Sequence, residues 1–147
     1  MIDDADKRRV AAAYAMATRA GDVEALAAIS EDDAVVWHNH DDVEVNLERS
    51  ARTLRWLHRT VTDLAWNDVA LTLTADGFVW RTLLTGTAPG GPFRAHSCAV
   101  VTLSEAGRVA RTDEYLDAAA LAPLAAASTA SAPATTQGAG DRAGVGR

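Results

Sequence analysis

The stretch Leu64–Thr87, LAWNDVALTLTADGFVWRTLLTGT, decides how this chain folds. Its apolar residues stop following a helical period and begin to alternate, with one interruption at Ala75-Asp76-Gly77. Side chains of a strand point to opposite faces in turn, so alternation on both sides of a short Gly-containing turn reads as a β-hairpin. In the second arm the more apolar parity is Phe78, Trp80, Thr82, Leu84 and Gly86, which leaves Arg81 on the opposite face.

The same reading extends towards the C-terminus. FRAHSCAVVTL (93–103) and RVARTDEYL (108–116) are two further strands, set off by APGGP (88–92) and SEAG (104–107). Strands joined by such short loops run antiparallel, so the four form a meander. A last turn centred on Glu105-Ala106 places Ser97 opposite Glu114 and Ala99 opposite Thr112. One face then carries Ala95, Ser97, Ala99, Val101 and Leu103 with Ala110, Thr112, Glu114 and Leu116. The other carries His96, Cys98, Val100, Arg111, Asp113 and Tyr115. A slip of one residue would exchange Glu114 for Asp113 on the inner face.

Towards the N-terminus the period is helical. In LERSARTLRWLHRTV (47–61), capped by Asn46, the residues Leu47, Ser50, Leu54, Leu57 and Val61 face inward. Arg49, Arg52, Arg55 and Arg59 share its other side and read as a solvated face, with phosphate binding as the alternative. A first helix runs from about Asp4 to Ala20, with Val10, Tyr14 and Ala17 on one stripe. Gly21 suits its C-terminal cap, and Asp22 suits the N-cap of a short second helix. Between the second and third helices, AVVWHNHDD (34–42) supplies a strand around Ala34–Asn39. The order helix-helix-strand-helix-meander predicts an α+β domain, with helices covering one face of a curved antiparallel sheet. A short Ala/Leu helix is expected from after Asp117 to about Ala127. We expect one domain over 1–126 and a disordered Ala/Ser/Thr/Gly-rich tail over 127–147.

Composition narrows the function. The chain has 147 residues and a net charge of −6, which gives no electrostatic support to a nucleic-acid partner. Cys98 is its single cysteine, so there is no disulfide framework and no cysteine-based zinc site. No apolar run approaches the ~20 residues of a membrane span, and the charged start MIDDADKRR does not read as a signal peptide. The expectation is a cytoplasmic domain with no membrane partner.

His38 and His40 share a strand face. His38 can serve as a general base, since its ordinary pKa of about 6.5 leaves much of it neutral and an apolar surrounding lowers it further. It can equally be a histidine hydrogen-bonded at a sheet edge. His40 lies where the strand should break up and reads as a rim or surface residue. A His-x-His metal site completed by His96 or Asp113 would need three separated segments to converge, and no metal is assigned.

The element order, with Ala20-Gly21-Asp22 between the first two helices and Asp113-Glu114-Tyr115-Leu116-Asp117 closing the last strand, resembles the nuclear transport factor 2-like superfamily. Within it the nearest likeness is to the ketosteroid isomerase-like and SnoaL-like polyketide cyclase group. The resemblance covers roughly residues 5–125. It implies a cone: a curved sheet wrapped around the helices, enclosing a deep apolar pocket, with the outer sheet face forming a homodimer. It places Tyr14 where the isomerases keep an oxyanion-hole tyrosine and His38 where they keep a catalytic aspartate. Ala99 stands where they keep a second, acidic oxyanion donor. Trp80, Thr82, Leu84, Leu54, Leu57, Ser97, Ala99, Thr112 and Leu116 would line the pocket. The superfamily's epoxide hydrolases use an Asp-Arg-Asp arrangement. Glu114 and Arg81 could supply two members here, but Leu83 stands where the third would be.

The expected activity is cofactor-independent acid–base chemistry on a small apolar carbonyl compound, such as isomerisation or aldol-type cyclisation of a polyketide- or terpenoid-like substrate. His38 would move the proton, with Tyr14 and Glu114 donating to the developing oxyanion. No cofactor is required, because each step is a proton transfer. The alternative is a non-catalytic module of the same fold that holds a small hydrophobic ligand or serves dimerisation. Epoxide hydrolysis ranks last.

Overall fold

A computed structural model describes residues 1–125. Helix α1 spans Asp4–Ala20 and starts where the Asp3 carboxylate accepts from the backbone N–H of Asp6 at 2.8 Å. It stops at Gly21, whose φ of +65° lets its own N–H and that of Asp22 return to the Thr18 and Ala17 carbonyls. A side chain is also excluded there by space: a Cβ on Gly21 would lie 2.7 Å from the His58 ring. Helix α2 (Val23–Ala28) follows at once, capped by Asp22.

Strand β1 (Ser30–His38) and the short β2 (Val43–Asn46) precede helix α3 (Leu47–Thr60), whose N-cap is Asn46. The meander is β3 (Thr62–Leu73), β4 (Gly77–Ala88), β5 (Gly91–Leu103) and β6 (Val109–Leu116), followed by a 3-10 turn at Ala119–Leu121. All six strands form one sheet in the order β2-β1-β6-β5-β4-β3. The protein is thus α+β with a curved sheet, as the alternation predicts.

Three expectations change. The sheet is not wholly antiparallel: β1 lies parallel to β6, with His38 paired to Glu114 and Val36 to Thr112. Sequence neighbours can pair only as hairpins when their loops are short, but β1 and β6 are far apart in the chain and escape that rule. Strand β1 begins at Ser30 rather than Ala34, and β2 is an additional four-residue strand too short to show a period. Finally, Ala99 pairs with Glu114, Ser97 with Leu116 and Val101 with Thr112. The turn does centre on Glu105-Ala106, where the Gly107 N–H bonds back to the Ser104 carbonyl at 2.9 Å, but beyond it the Ser104 N–H reaches on to the Arg108 carbonyl at 2.7 Å. This moves the register by two residues, so the parity of the faces survives. Next to the turn a bulge leaves Ala110 unpaired and puts Val109 on the inner face in its place.

Phe78 and Val101 are almost fully buried at the centre of the core, with Val10 and Ala11 of α1 beside them. The inner parity of β4 is as expected: Phe78, Trp80, Thr82 and Leu84 are buried and Arg81 is exposed. In α3 no residue is fully buried, although its apolar face points inward. That face borders a cavity. The 3-10 turn begins the predicted Ala/Leu helix, whose end, like the tail 127–147, lies outside the described residues. No helix among the described residues is long and apolar enough to cross a membrane.

Candidate active site

The concave side of the sheet, α1 and α3 enclose a cavity of about 450 Å³, in the range of small-molecule sites. His38, the last residue of β1, reaches this cavity from the end of its strand. Strand alternation sends its neighbour Trp37 to the outer face, where the indole meets the Tyr115 ring edge-on at 5.3 Å and donates to Asp42 at 2.8 Å. Parallel pairing with β6 sets His38 beside Glu114, and their Nε2 and Oε2 atoms are 3.2 Å apart. The other oxygen of the same carboxylate accepts from Ser97 Oγ at 3.4 Å. Both side chains are mostly shielded, at 18% exposed for His38 and 24% for Glu114.

The expected lowering of the His38 pKa is overturned. The hydrogen bond to Glu114 outweighs burial and raises it above 6.5, with the charges of Glu114 and then Asp41 adding to the effect. An apolar pocket would act as expected only if it held no carboxylate. Tyr14, from α1, also lines the cavity and stands edge-on to Phe78 and Trp80 at centroid distances of 5.8 and 6.0 Å. Burial, and then the negative charge of Glu114, push the phenol far above its ordinary value; a hydrogen bond from Thr112 opposes this without reversing it. Tyr14 therefore keeps its proton throughout the physiological range. Its hydroxyl, still protonated, can act as a hydrogen-bond donor.

Thr112 departs from expectation in its place: it is buried behind Tyr14 and does not line the cavity. Trp80, Thr82 and Leu84 of β4, Leu54 and Leu57 of α3, Ser97 and Ala99 of β5, and Leu116 of β6 all do. The Trp80 indole is clamped. Its Nε1 donates to Asp68 Oδ1 at 2.8 Å, Arg19 Nη2 lies 2.6 Å from the same oxygen, and the Arg19 guanidinium sits 5.3 Å from the ring centroid.

Several lining residues escaped the sequence reading. Trp56, Trp66, Thr53 and Arg49 are among them. On α3 the cavity sees a sector wider than the single apolar stripe, so Arg49, assigned to the solvated face, borders the opening. Spacing does carry that signal: Arg49 and Thr53 are four residues apart, and each adjoins a residue of the inward stripe. Trp66 turns inward on β3 ahead of a register irregularity between Asp68 and Ala70, which alternation alone does not reveal.

His40 lines the opening, 3.6 Å from Asp41 and with its ring centroid 5.4 Å from that of His38. His96 and Asp113 lie on the outer side of the sheet, away from the cavity. Arg81 lies there too and is exposed, so it does not join Glu114 in the hydrolase-type arrangement.

No protein-family model matches the chain, and no curated protein matches its sequence. Its fold is shared with solved structures at low identity. A candidate SnoaL-like polyketide cyclase from Shewanella denitrificans superposes with a TM-score of 0.69 at 14% identity, over 82% of this chain and 97% of that one. The BvnE pinacolase from Penicillium brevicompactum gives 0.72 at 12% identity, over 85% and 95%. A ketosteroid isomerase-like protein from Catenulispora acidiphila, in complex with trimethylamine, gives 0.62 at 12%, over 72% and 83%. The fold is therefore the nuclear transport factor 2-like fold of the SnoaL-like and ketosteroid isomerase-like proteins.

Proposed function

We propose that the protein is a cofactor-independent acid–base enzyme acting on a small apolar carbonyl compound of polyketide- or terpenoid-like character. The observation that carries this reading is the convergence of His38, Glu114 and Tyr14 on one cavity walled by apolar and aromatic side chains. Each group has a distinct task. Glu114 accepts a hydrogen bond at Nε2 of His38 and so fixes the neutral tautomer with its proton there, leaving the lone pair on Nδ1. That nitrogen removes a proton from the carbon next to the substrate carbonyl. The C–H electron pair moves into the enolate, whose oxygen receives the hydrogen bond of Tyr14. Returning the proton to a different carbon gives isomerisation; attack of the enolate carbon on a second carbonyl of the same molecule gives an aldol-type ring closure, in which the C=O π pair becomes an alkoxide that takes the proton back from His38.

The His38→Gln variant tests the assignment with an activated cyclic ketone, followed by exchange of its α-protons for deuterium. The expected result is a loss of about 10²- to 10⁴-fold with the fold intact. An unchanged exchange rate removes His38 as the base.

The second reading, a pocket that binds without turnover, draws on the aromatic lining of Trp56, Trp66 and Trp80. It predicts affinity nearly flat across the His38 ionisation, where a catalyst shows a pH-dependent rate. The outer sheet face, where Val69 and Tyr115 are exposed near His96 and Cys98, supports a homodimer contact. Sedimentation equilibrium tests this: a monomer at all concentrations removes the dimer.

A further inference from the structure

We infer that Arg49 selects the substrate by its charge: the apolar molecule carries an oxyanionic group, a carboxylate or a phosphate, at the end that rests in the cavity mouth. The inference rests on the proposed function in so far as the ligand is a substrate. Arg49 is the only lysine or arginine among the described residues that line the cavity, and its guanidinium has no acid or carbonyl partner among them. Of the three arginines that follow it on α3, Arg52 pairs with Glu48 at 3.8 Å and Arg55 with Glu24 at 3.4 Å, and Arg59 lies outside the cavity lining. Arg49 also stands in the first turn of its helix, where the exposed N–H groups already make the potential positive and a further cation is disfavoured. A cation in that place strengthens the positive field at the opening. Asp41, the acid on the same rim, lies against His40 at 3.6 Å rather than against Arg49.

A second charged group in the cavity orients the ligand. The Glu114 carboxylate lines the same cavity beside His38, so an anionic group is repelled from that pair and drawn to Arg49 instead. The ligand is thus polarised in advance, with its anion on Arg49 and its uncharged carbonyl facing Tyr14 and His38. A guanidinium suits this task because its planar fork matches both oxygens of a carboxylate or phosphate.

The test is an NMR titration of the full chain and of Arg49→Gln with naphthalene-2-carboxylate, 2-naphthyl phosphate and methyl naphthalene-2-carboxylate. The expected result is that the wild type binds at least one anion about three- to tenfold more tightly than the ester, and that ~1 M salt erases the preference. Arg49→Gln should lose the preference while its affinity for the ester stays unchanged. Which anion is favoured separates carboxylate from phosphate. A preference that persists in Arg49→Gln, equal weakening of all three probes in that variant, or no preference in the wild type each overturns the inference. None of these results bears on the deuterium exchange by which the role of His38 stands or falls.

Discussion

The imidazole of His38 stands between two opposing influences, burial that disfavours its charge and the Glu114 carboxylate 3.2 Å away that favours it. Because the carboxylate prevails, a base role for His38 has a direction in pH. The rate should climb with pH and level off only above a midpoint higher than 6.5, the ordinary histidine value. In Glu114→Gln that midpoint should move to lower pH. The plateau should also fall by roughly 10- to 100-fold, because nothing then enforces the tautomer. Steady-state rates from pH 5 to 9 for both proteins check this; a midpoint that does not move would mean that the contact fails to hold the proton in solution. Tyr14 answers a different question. Its phenol keeps its proton, so Tyr14→Phe removes a donor and no ionisation. The expected change is about 10- to 100-fold in rate with the pH midpoint unmoved.

Among the elements, α1 and its Gly21 terminus set the wall that carries Tyr14. Alanine at Gly21 would need a left-handed backbone and would press its Cβ against the His58 ring, which bonds back to the Thr18 carbonyl at 3.1 Å. Gly21→Ala should cost about 1–2 kcal/mol in urea denaturation and loosen the junction of α1 with α3. This terminus was plain in the sequence, as were the Asp22 and Asn46 caps, because caps depend on local chemistry. The inner parity of β4 was equally plain, since an alternation sustained over Phe78–Leu84 has one solution. The position of Glu114 was legible only as a face and not as a partner. A register error of two residues keeps a side chain on its face and changes its neighbour. The parallel approach of β1, which brings His38 to Glu114, depends on contacts distant in the chain and leaves no local trace. Arg49 and Trp66 were missed for a related reason, because where a helix or strand borders a void, the faces of a packed element no longer apply.

At the scale of the whole molecule, the His38–Glu114 contact is a clasp between β1 and β6. Since the folded state binds the His38 proton more tightly than the unfolded chain does, the contact stabilises the fold fully below about pH 6.5 and loses that contribution as pH rises through the raised folded value. The stability difference between wild type and His38→Gln should therefore be larger near pH 5.5 than near pH 9, as read from urea midpoints at the two values. A difference that is constant or grows with pH would contradict the proton linkage. The sheet itself should persist in the variant, because β3 to β6 are joined by hairpins that do not involve His38.

The strand order has a consequence for how the molecule is made. Strand β6 is the last of the six to leave the ribosome, and within the sheet of the described residues it alone joins the early pair β1–β2 to the later three strands. A nascent chain that has displayed its imidazole still lacks the carboxylate to seat it. The contact between His38 and Glu114 therefore waits on the end of the chain: it forms only when the two ends of the domain are sewn together.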